Sequence, residues 1–321
     1  MSVDAEVIAD RRRLRRKLTF WRVTGLLGLI AAIVALGYLG ANRSGLVPGQ
    51  EHVARISING FITSSQRLAN LMDRVGRAPN VAGVVISVNS PGGTTTGSEE
   101  LFRNIRRLAD KKPVVTFVEG TAASGGYITA IASDHIVARE TAIVGSIGVL
   151  FQYPDVSQLL TNWGVKVEAV KSSPLKAEPS GFNPTSPEAR AALQEVVNDT
   201  FGWFKGLVRE RRHLTDAELA AASTGQVFSG RQGVPLKLVD SLGTERDAIA
   251  WLEREKGVRK NLPVQDWRPS GSREIPLLAV AASGADLVGL TGVAEALRRT
   301  SAVADQAQLD GLLVVWHPSE K

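Results

Sequence analysis

Residues 81–93 read VAGVVISVNSPGG, and their pattern decides the fold class. From Val81 to Val88 the run is nearly all apolar, which suits a strand covered on both faces rather than one half exposed to water. It passes directly into Asn89-Ser90-Pro91-Gly92-Gly93, where proline fixes a turn and two glycines permit positive φ and close backbone approach. Upstream, His52 to Asn59 alternates apolar and polar residues, a strand ended by Gly60. Between the strands, Leu68, Leu71, Met72 and Val75 fall at helical spacing, after Ser64 or Ser65 as N-cap and before Gly76 and Pro79. The order is β-α-β.

Downstream of residue 93 a helix is predicted from Thr96 or Ser98 to Lys111, then a third apolar strand from Pro113 to Val118. Its end delivers a second glycine turn, Thr121-Ala122-Ala123-Ser124-Gly125-Gly126-Tyr127, ahead of an apolar run to Ala132. Two such turns after consecutive buried parallel strands share one rim of the sheet, where open α/β sheets place their sites. Each turn has two readings. Asn89 to Gly93 can present backbone N–H groups to a ligand oxygen, or can simply lead a strand into a helix. Ser124 can be a nucleophile at a helix start, where unpaired N–H groups favour a developing oxyanion, or a small residue in tight packing.

Short strands follow at 136–138 and 142–150. Pro187 to Arg212 reads as a long helix capped by Ser186, with shorter helices over 215–222 and 244–256. An element over 230–238 contains Val234-Pro235, and a strand lies near 262–267. The tail from Ile275 to Leu297 is apolar but carries Asp286 and Glu295, so it reads as an amphipathic or interface segment. The glycine-turn set occurs once, so no internal repeat is expected.

The absence of cysteine removes disulfides, thiolate metal sites and a cysteine nucleophile together. The four histidines, His52, His135, His213 and His317, are far apart and lack metal-ligand spacing, so no metal is expected. Of the net charge of +6, residues 1–22 hold +4, seven cations against three acids. The rest is near balance, without a basic stripe interleaved with aromatics, and nucleic acid is not an expected partner.

Val23 to Ala41 is nineteen residues without a charge, preceded by Arg11-Arg12-Arg13-Leu14-Arg15-Arg16-Lys17 and Arg22. At about 1.5 Å per residue it can cross a hydrocarbon core of about 30 Å. It reads as a transmembrane helix, and the cations before it place the N-terminus in the cytoplasm. A cleavable signal peptide ending at Leu39-Gly40-Ala41 is the competing reading. Either way the chain after Asn42 is expected outside the cytoplasmic membrane, periplasmic or otherwise extracytoplasmic. The expected division is a basic segment over 1–22, a transmembrane helix over 23–41, a linker over 42–51, a folded domain over 52–270 and an amphipathic segment over 271–321.

Five stretches occur in a telling order: VNSPGG at 88–93, ASGGY at 123–127, VGSIGV at 144–149, KSSPLKAEP at 171–179 and GQVFSGRQG at 225–233. Together they resemble the signal peptide peptidases of the SppA family, relatives of the Clp protease and crotonase superfold, over about residues 52 to 257. The resemblance implies an α/β fold of β-β-α or β-α-β units with helices around the sheet, and a serine peptidase domain over 52–270. It implies Ser124 as nucleophile, Lys176 as general base and Ser146 as the group that orients the lysine. Gly92 and Gly125 would supply the oxyanion N–H groups. No metal or organic cofactor is implied. The expected activity is that of a membrane-anchored endopeptidase degrading signal peptides and other membrane-proximal peptides after their release. Longer members duplicate the domain and draw serine and lysine from different halves, whereas a single-copy chain resembles the short form, a homo-oligomeric ring.

The residues agree with that chemistry. Without a convincing histidine partner, the base for Ser124 has to be another side chain, and a lysine serves if it is neutral. The reference pKa of a lysine is about 10.4, so only about one in two thousand carries the free amine at neutral pH, unless burial lowers that value. Lys176 lies in a Pro-rich segment, 171–184, that suits a loop folded over a site, and Lys171 is its nearest rival. Two other classes are alternatives: a crotonase-like acyl-CoA enzyme using the same oxyanion turns, and a catalytically silent membrane scaffold.

Overall fold

The strand predicted at 81–88 is longer, Val81–Thr94 (β2), and pairs in parallel with His52–Ile62 (β1) on one side and Val114–Ala123 (β3) on the other. The computed structural model describes residues 17, 20–25, 28, 50–269 and 313–315, which belong to two units, Met1–Gln50 and Glu51–Lys321. In the first unit residues 20–25 are helical (α1), with the rings of Phe20 and Trp21 edge to face at 6.0 Å. Among the described residues no helix is long and apolar enough to cross a membrane. Most of the predicted span 23–41, and all of the predicted tail helix 275–297, lie outside the described residues.

In the second unit the sheet adds His135–Ala138 (β4), Ile143–Gly145 (β5), Val227–Ser229 (β6), Ser241–Leu242 (β7), Val264–Asp266 (β8) and Leu313–Val315 (β9). Its main path runs β6-β5-β3-β2-β1-β8, with β4 between β3 and β7, and β9 on β2. The third strand forks. Val115 to Val118 pairs with β4, whereas Thr121 to Ala123 pairs with β5. At the fork Gly120 lies so close to Asn89 that a Cβ there would come within 2.8 Å of its Oδ1.

The helices are Gln66–Arg77 (α2), Thr95–Ala109 (α3), Gly125–Ile131 (α4), Ser157–Asn162 (α5), Pro187–Arg212 (α6), Asp216–Ala222 (α7), Gly230–Gly233 (α8) and Glu245–Glu255 (α9). Their starts are capped as the sequence dictates. Ser65 accepts from Leu68 N–H, Thr94 from Gly97 N–H, and Ser186 from Ala189 N–H with Pro187 in the first turn. Strand alternation feeds two cores. Ala54, Ile56, Ile58, Val84, Ile86 and Val88 pack with α2, α3, α4 and α6, and Val53, Val85, Val115 and Phe117 pack with Ala248 and Leu252 of α9. The sheet is therefore covered on both faces, as the apolar run 81–88 requires. The architecture is a mixed α/β sheet with surrounding helices.

Three local expectations are corrected. Asn89 to Gly93 is not a turn: β2 continues through it as a bulged strand, with register shifts against both neighbours and Gly92 at φ 116°. Gly93 has no room for a side chain there, since a Cβ would fall 1.9 Å from the Ile62 carbonyl oxygen. The strand expected over 142–150 stops at Gly145, because Gly145 (φ 90°) and Ser146 (φ 52°) leave the extended region. The element over 230–238 is helical only to Gly233: Val234 keeps helical angles, but Pro235 has no N–H with which to continue the helix.

Ile86 is fully buried at the centre of the sheet. Ile86→Ala is expected to cost about 2–5 kcal/mol, read as a lower urea midpoint with an unchanged slope.

Candidate active site

α4 is apolar or small on every side, GGYITAI, and all seven of its residues are buried. Ser124 is its N-cap, 1 % exposed, with φ 53° and ψ −115°. That region is costly for a residue with a Cβ, so the surroundings have to hold it. They do so through the β3–β5 ladder: Ala123 pairs with Gly145, and Ser124 N–H donates to the Gly145 carbonyl at 2.8 Å. On the other side the Ser124 carbonyl accepts from the N–H groups of Tyr127 (2.9 Å) and Ile128 (3.0 Å). Ser146 comes directly after Gly145, is 8 % exposed, and donates its N–H to the Gln226 carbonyl at 2.9 Å. β5 thus brings Ser146 to the turn that carries Ser124.

The bulged end of β2 packs against the same turn. A Cβ on Gly126 would lie 2.6 Å from the Ser90 carbonyl oxygen, so the glycine allows α4 to start against β2. Gly125 N–H occupies the first position of α4 and has no carbonyl within its own helix. Gly92 N–H donates to Ser90 Oγ at 3.1 Å, and Ser90 Oγ donates in turn to the Gly60 carbonyl at 2.6 Å. To bind an oxyanion Gly92 would have to exchange that partner. β9 pairs antiparallel with β2 beyond the last β2–β3 pair, Ser90 with Ala122; its partners are Gly92, Gly93 and Thr94. Since β1 holds the other edge, β9 lies on the side that β3 vacates where it turns into Ser124.

The far end of α4 is tied by two arginines that sequence reasoning did not single out. Arg106 donates to the Ala132 carbonyl (2.7 Å), and Arg211 to those of Ile131 (2.9 Å) and Ser133 (2.8 Å). Cations at this end complement the helix dipole, while the Ser124 end presents its N–H groups. Tyr127 is wholly buried with its hydroxyl donating to the Leu238 carbonyl at 2.9 Å, and burial pushes its phenol well up, which makes it a packing anchor. His52 and His135 open the parallel strands β1 and β4, at the rim opposite Ser124. His52 Nε2 accepts from the Trp267 indole at 3.0 Å, and His135 stacks on Trp251 at 4.6 Å.

Lys176 is not brought to these groups by the single chain. It lies exposed on an excursion over 151–185 whose base is joined by Val156 N–H donating to the Gly181 carbonyl (2.9 Å) and by the Tyr153 and Thr185 hydroxyls (3.0 Å). Among the described residues no hydrogen bond links Lys176 Nζ to Ser124 or Ser146. Lys171 differs from it: its ammonium is bound to the Glu178 carboxylate, with side-chain exposures of 23 % and 17 %. The Lys171 amine is thus engaged by a carboxylate seven residues on, which sets it apart from Lys176. The excursion also exposes Leu159, Trp163, Val165, Val170, Leu175 and Phe182, with Trp163 at 72 %.

The sequence profile of Peptidase family S49 matches residues 106–259, a span that contains Ser124, Ser146 and Lys176. A protein of Methanocaldococcus jannaschii provisionally named a protease is 38 % identical over 210 residues, 65 % of this chain and 64 % of its own. A similarly named protein of Synechocystis is 34 % identical over 203 residues, 63 % of this chain and 73 % of its own. A protein of Enterococcus faecium provisionally named signal peptide peptidase SppA is 30 % identical over 218 residues, 64 % of this chain and 63 % of its own. This chain thus spans just under two thirds of the archaeal and enterococcal relatives.

Gly126→Ala is expected to force α4 away from Ser90 and to slow labelling of Ser124 by a serine-directed fluorophosphonate by about a hundredfold, since about 1 Å of misplacement has that effect. Mass spectrometry of the labelled peptide reads the result.

Proposed function

Because the chain belongs to the S49 peptidase family, which includes the SppA proteins, we propose that it is a serine endopeptidase with a Ser124/Lys176 dyad. On this proposal residues 23–41 anchor it in the cytoplasmic membrane with its catalytic unit outside, and it degrades signal peptides and other membrane-proximal peptides after their release. The observation that carries the reading is Ser124, held at a costly left-handed φ at the start of a buried helix, beside a bulged glycine strand. Packing alone gives no reason to keep a serine in that conformation.

Neutral Lys176 takes the Ser124 hydroxyl proton as Oγ attacks the scissile carbonyl. The oxyanion is held by Gly125 N–H, with Gly92 N–H as second donor once released from Ser90. Protonated Lys176 gives its proton to the leaving amine, the peptide bond breaks, and an acyl-Ser124 ester remains. Water, deprotonated by Lys176, hydrolyses the ester and restores both side chains. Ser146 orients the lysine. The pairing of β9 with Gly92, Gly93 and Thr94 supports an edge suited to an extended strand, where a substrate peptide would dock in place of β9.

The exposed apolar surface of the 151–185 excursion supports a homo-oligomeric ring in which neighbouring copies cover it. Closure there would bring Lys176 to a Ser124 and withdraw water from its amine, which favours the neutral base.

Labelling by a fluorophosphonate should occur in the wild type and vanish in Ser124→Ala, while Lys176→Ala should lose peptidase activity by at least about a thousandfold. Unchanged labelling of Ser124→Ala would remove the nucleophile assignment. For the anchor, the full chain should stay in the membrane pellet after an alkaline carbonate wash, and a chain lacking residues 1–41 should be released.

A further inference from the structure

We propose that Lys171 and Glu178 form a clasp that positions Lys176, a role that rests on the dyad reading above. The pair closes a loop in which Lys176 is the third residue from the end. Inside it, Lys176 N–H donates to the Ser173 carbonyl at 3.1 Å and Glu178 N–H to the Leu175 carbonyl at 3.3 Å. Between Lys176 and Glu178 stands Ala177, at φ 57°. A residue with a Cβ does not rest there unheld, and two isolated turns at a surface do not supply the hold.

The clasp does. Glu178 Oε1 accepts from Lys171 Nζ, and Oε2 accepts from Ser180 N–H at 3.1 Å, so both carboxylate oxygens are fixed. The Lys171 ammonium, followed by Ser180 N–H, holds the Glu178 carboxyl below the usual carboxylate range. Both side chains are more than three-quarters covered, unlike an ordinary surface ion pair, whose contribution is small. Fixing residue 178 sets the backbone of Ala177, and with it the direction in which the Lys176 side chain leaves the loop. The same contact separates the two lysines of the motif. Lys171 is engaged in the ion pair, whereas among the described residues no carboxylate pairs with Lys176.

The test uses the full-length protein and a fluorogenic peptide, with melting temperatures measured for each variant. Lys171→Met and Glu178→Gln should each lower kcat about ten- to a hundredfold and leave KM within about threefold, the signature of a misplaced group rather than a lost binding surface. Lys171→Arg should recover most of the loss, because arginine keeps the ion pair although it cannot serve as a base. Full kcat in both Lys171→Met and Glu178→Gln overturns the clasp, and so does Lys171→Arg as inactive as Lys171→Met, which would make Lys171 itself the base. Full activity in Lys176→Ala removes the dyad reading instead, whatever the clasp variants show.

Discussion

One hydrogen bond supports the geometry of the site: Ser124 N–H to the Gly145 carbonyl. A left-handed serine costs on the order of 1–3 kcal/mol, and it persists only where its neighbours over-determine it. Here β5 fixes the backbone before the serine and α4 fixes it after, so the hydroxyl leaves the chain at a corner where neither strand nor helix can absorb it. The same ladder sets the position of Ser146, which like Ser124 has a positive φ. The glycines follow from the same corner. Gly126 exists so that α4 can begin against Ser90, and Gly93 so that β2 can pass Ile62.

The corner also has an electrical side. A buried helix of seven residues leaves most of its terminal N–H and C=O groups without partners in its own turn. At the carboxyl end Arg106 and Arg211 take up the carbonyls around residues 131–133, on segments far from Ser124 in sequence. At the amino end Gly125 N–H faces the turn. The helix is thus completed by cations at one end and left ready for a negative oxygen at the other.

Much of this was legible in the sequence. The apolar run 81–88 announced a strand covered on both faces, and both cores confirm it; the two glycine stretches do meet, through Gly126 and Ser90. What could not be read depends on distant partners. Pro-Gly-Gly has turn composition, and only its pairing with Phe61 and Ile62 makes it a bulged strand. Arg106 and Arg211 sit in periodic helices where an arginine ordinarily faces water, so nothing local marks them as caps for α4. The contrast between Lys171 and Lys176 needed the position of Glu178, which spacing alone does not supply. In the reverse direction, Lys176, the proposed base, is exposed in the single chain, on a loop joined at its base by Val156 with Gly181 and by Tyr153 with Thr185.

The fork in β3 divides the molecule by how easily its parts open. Both halves of β3 reach the cores, but the half that carries Ser124 leans on β5, a three-residue strand backed by the equally short β6. Short ladders at a sheet edge exchange their amide hydrogens through local opening, well before global unfolding. The corner at Ser124 is therefore set where the ladder beside it is only three residues long, although the corner itself is buried. The amides of Ser124 and Ser146 report the integrity of the site separately from that of the fold.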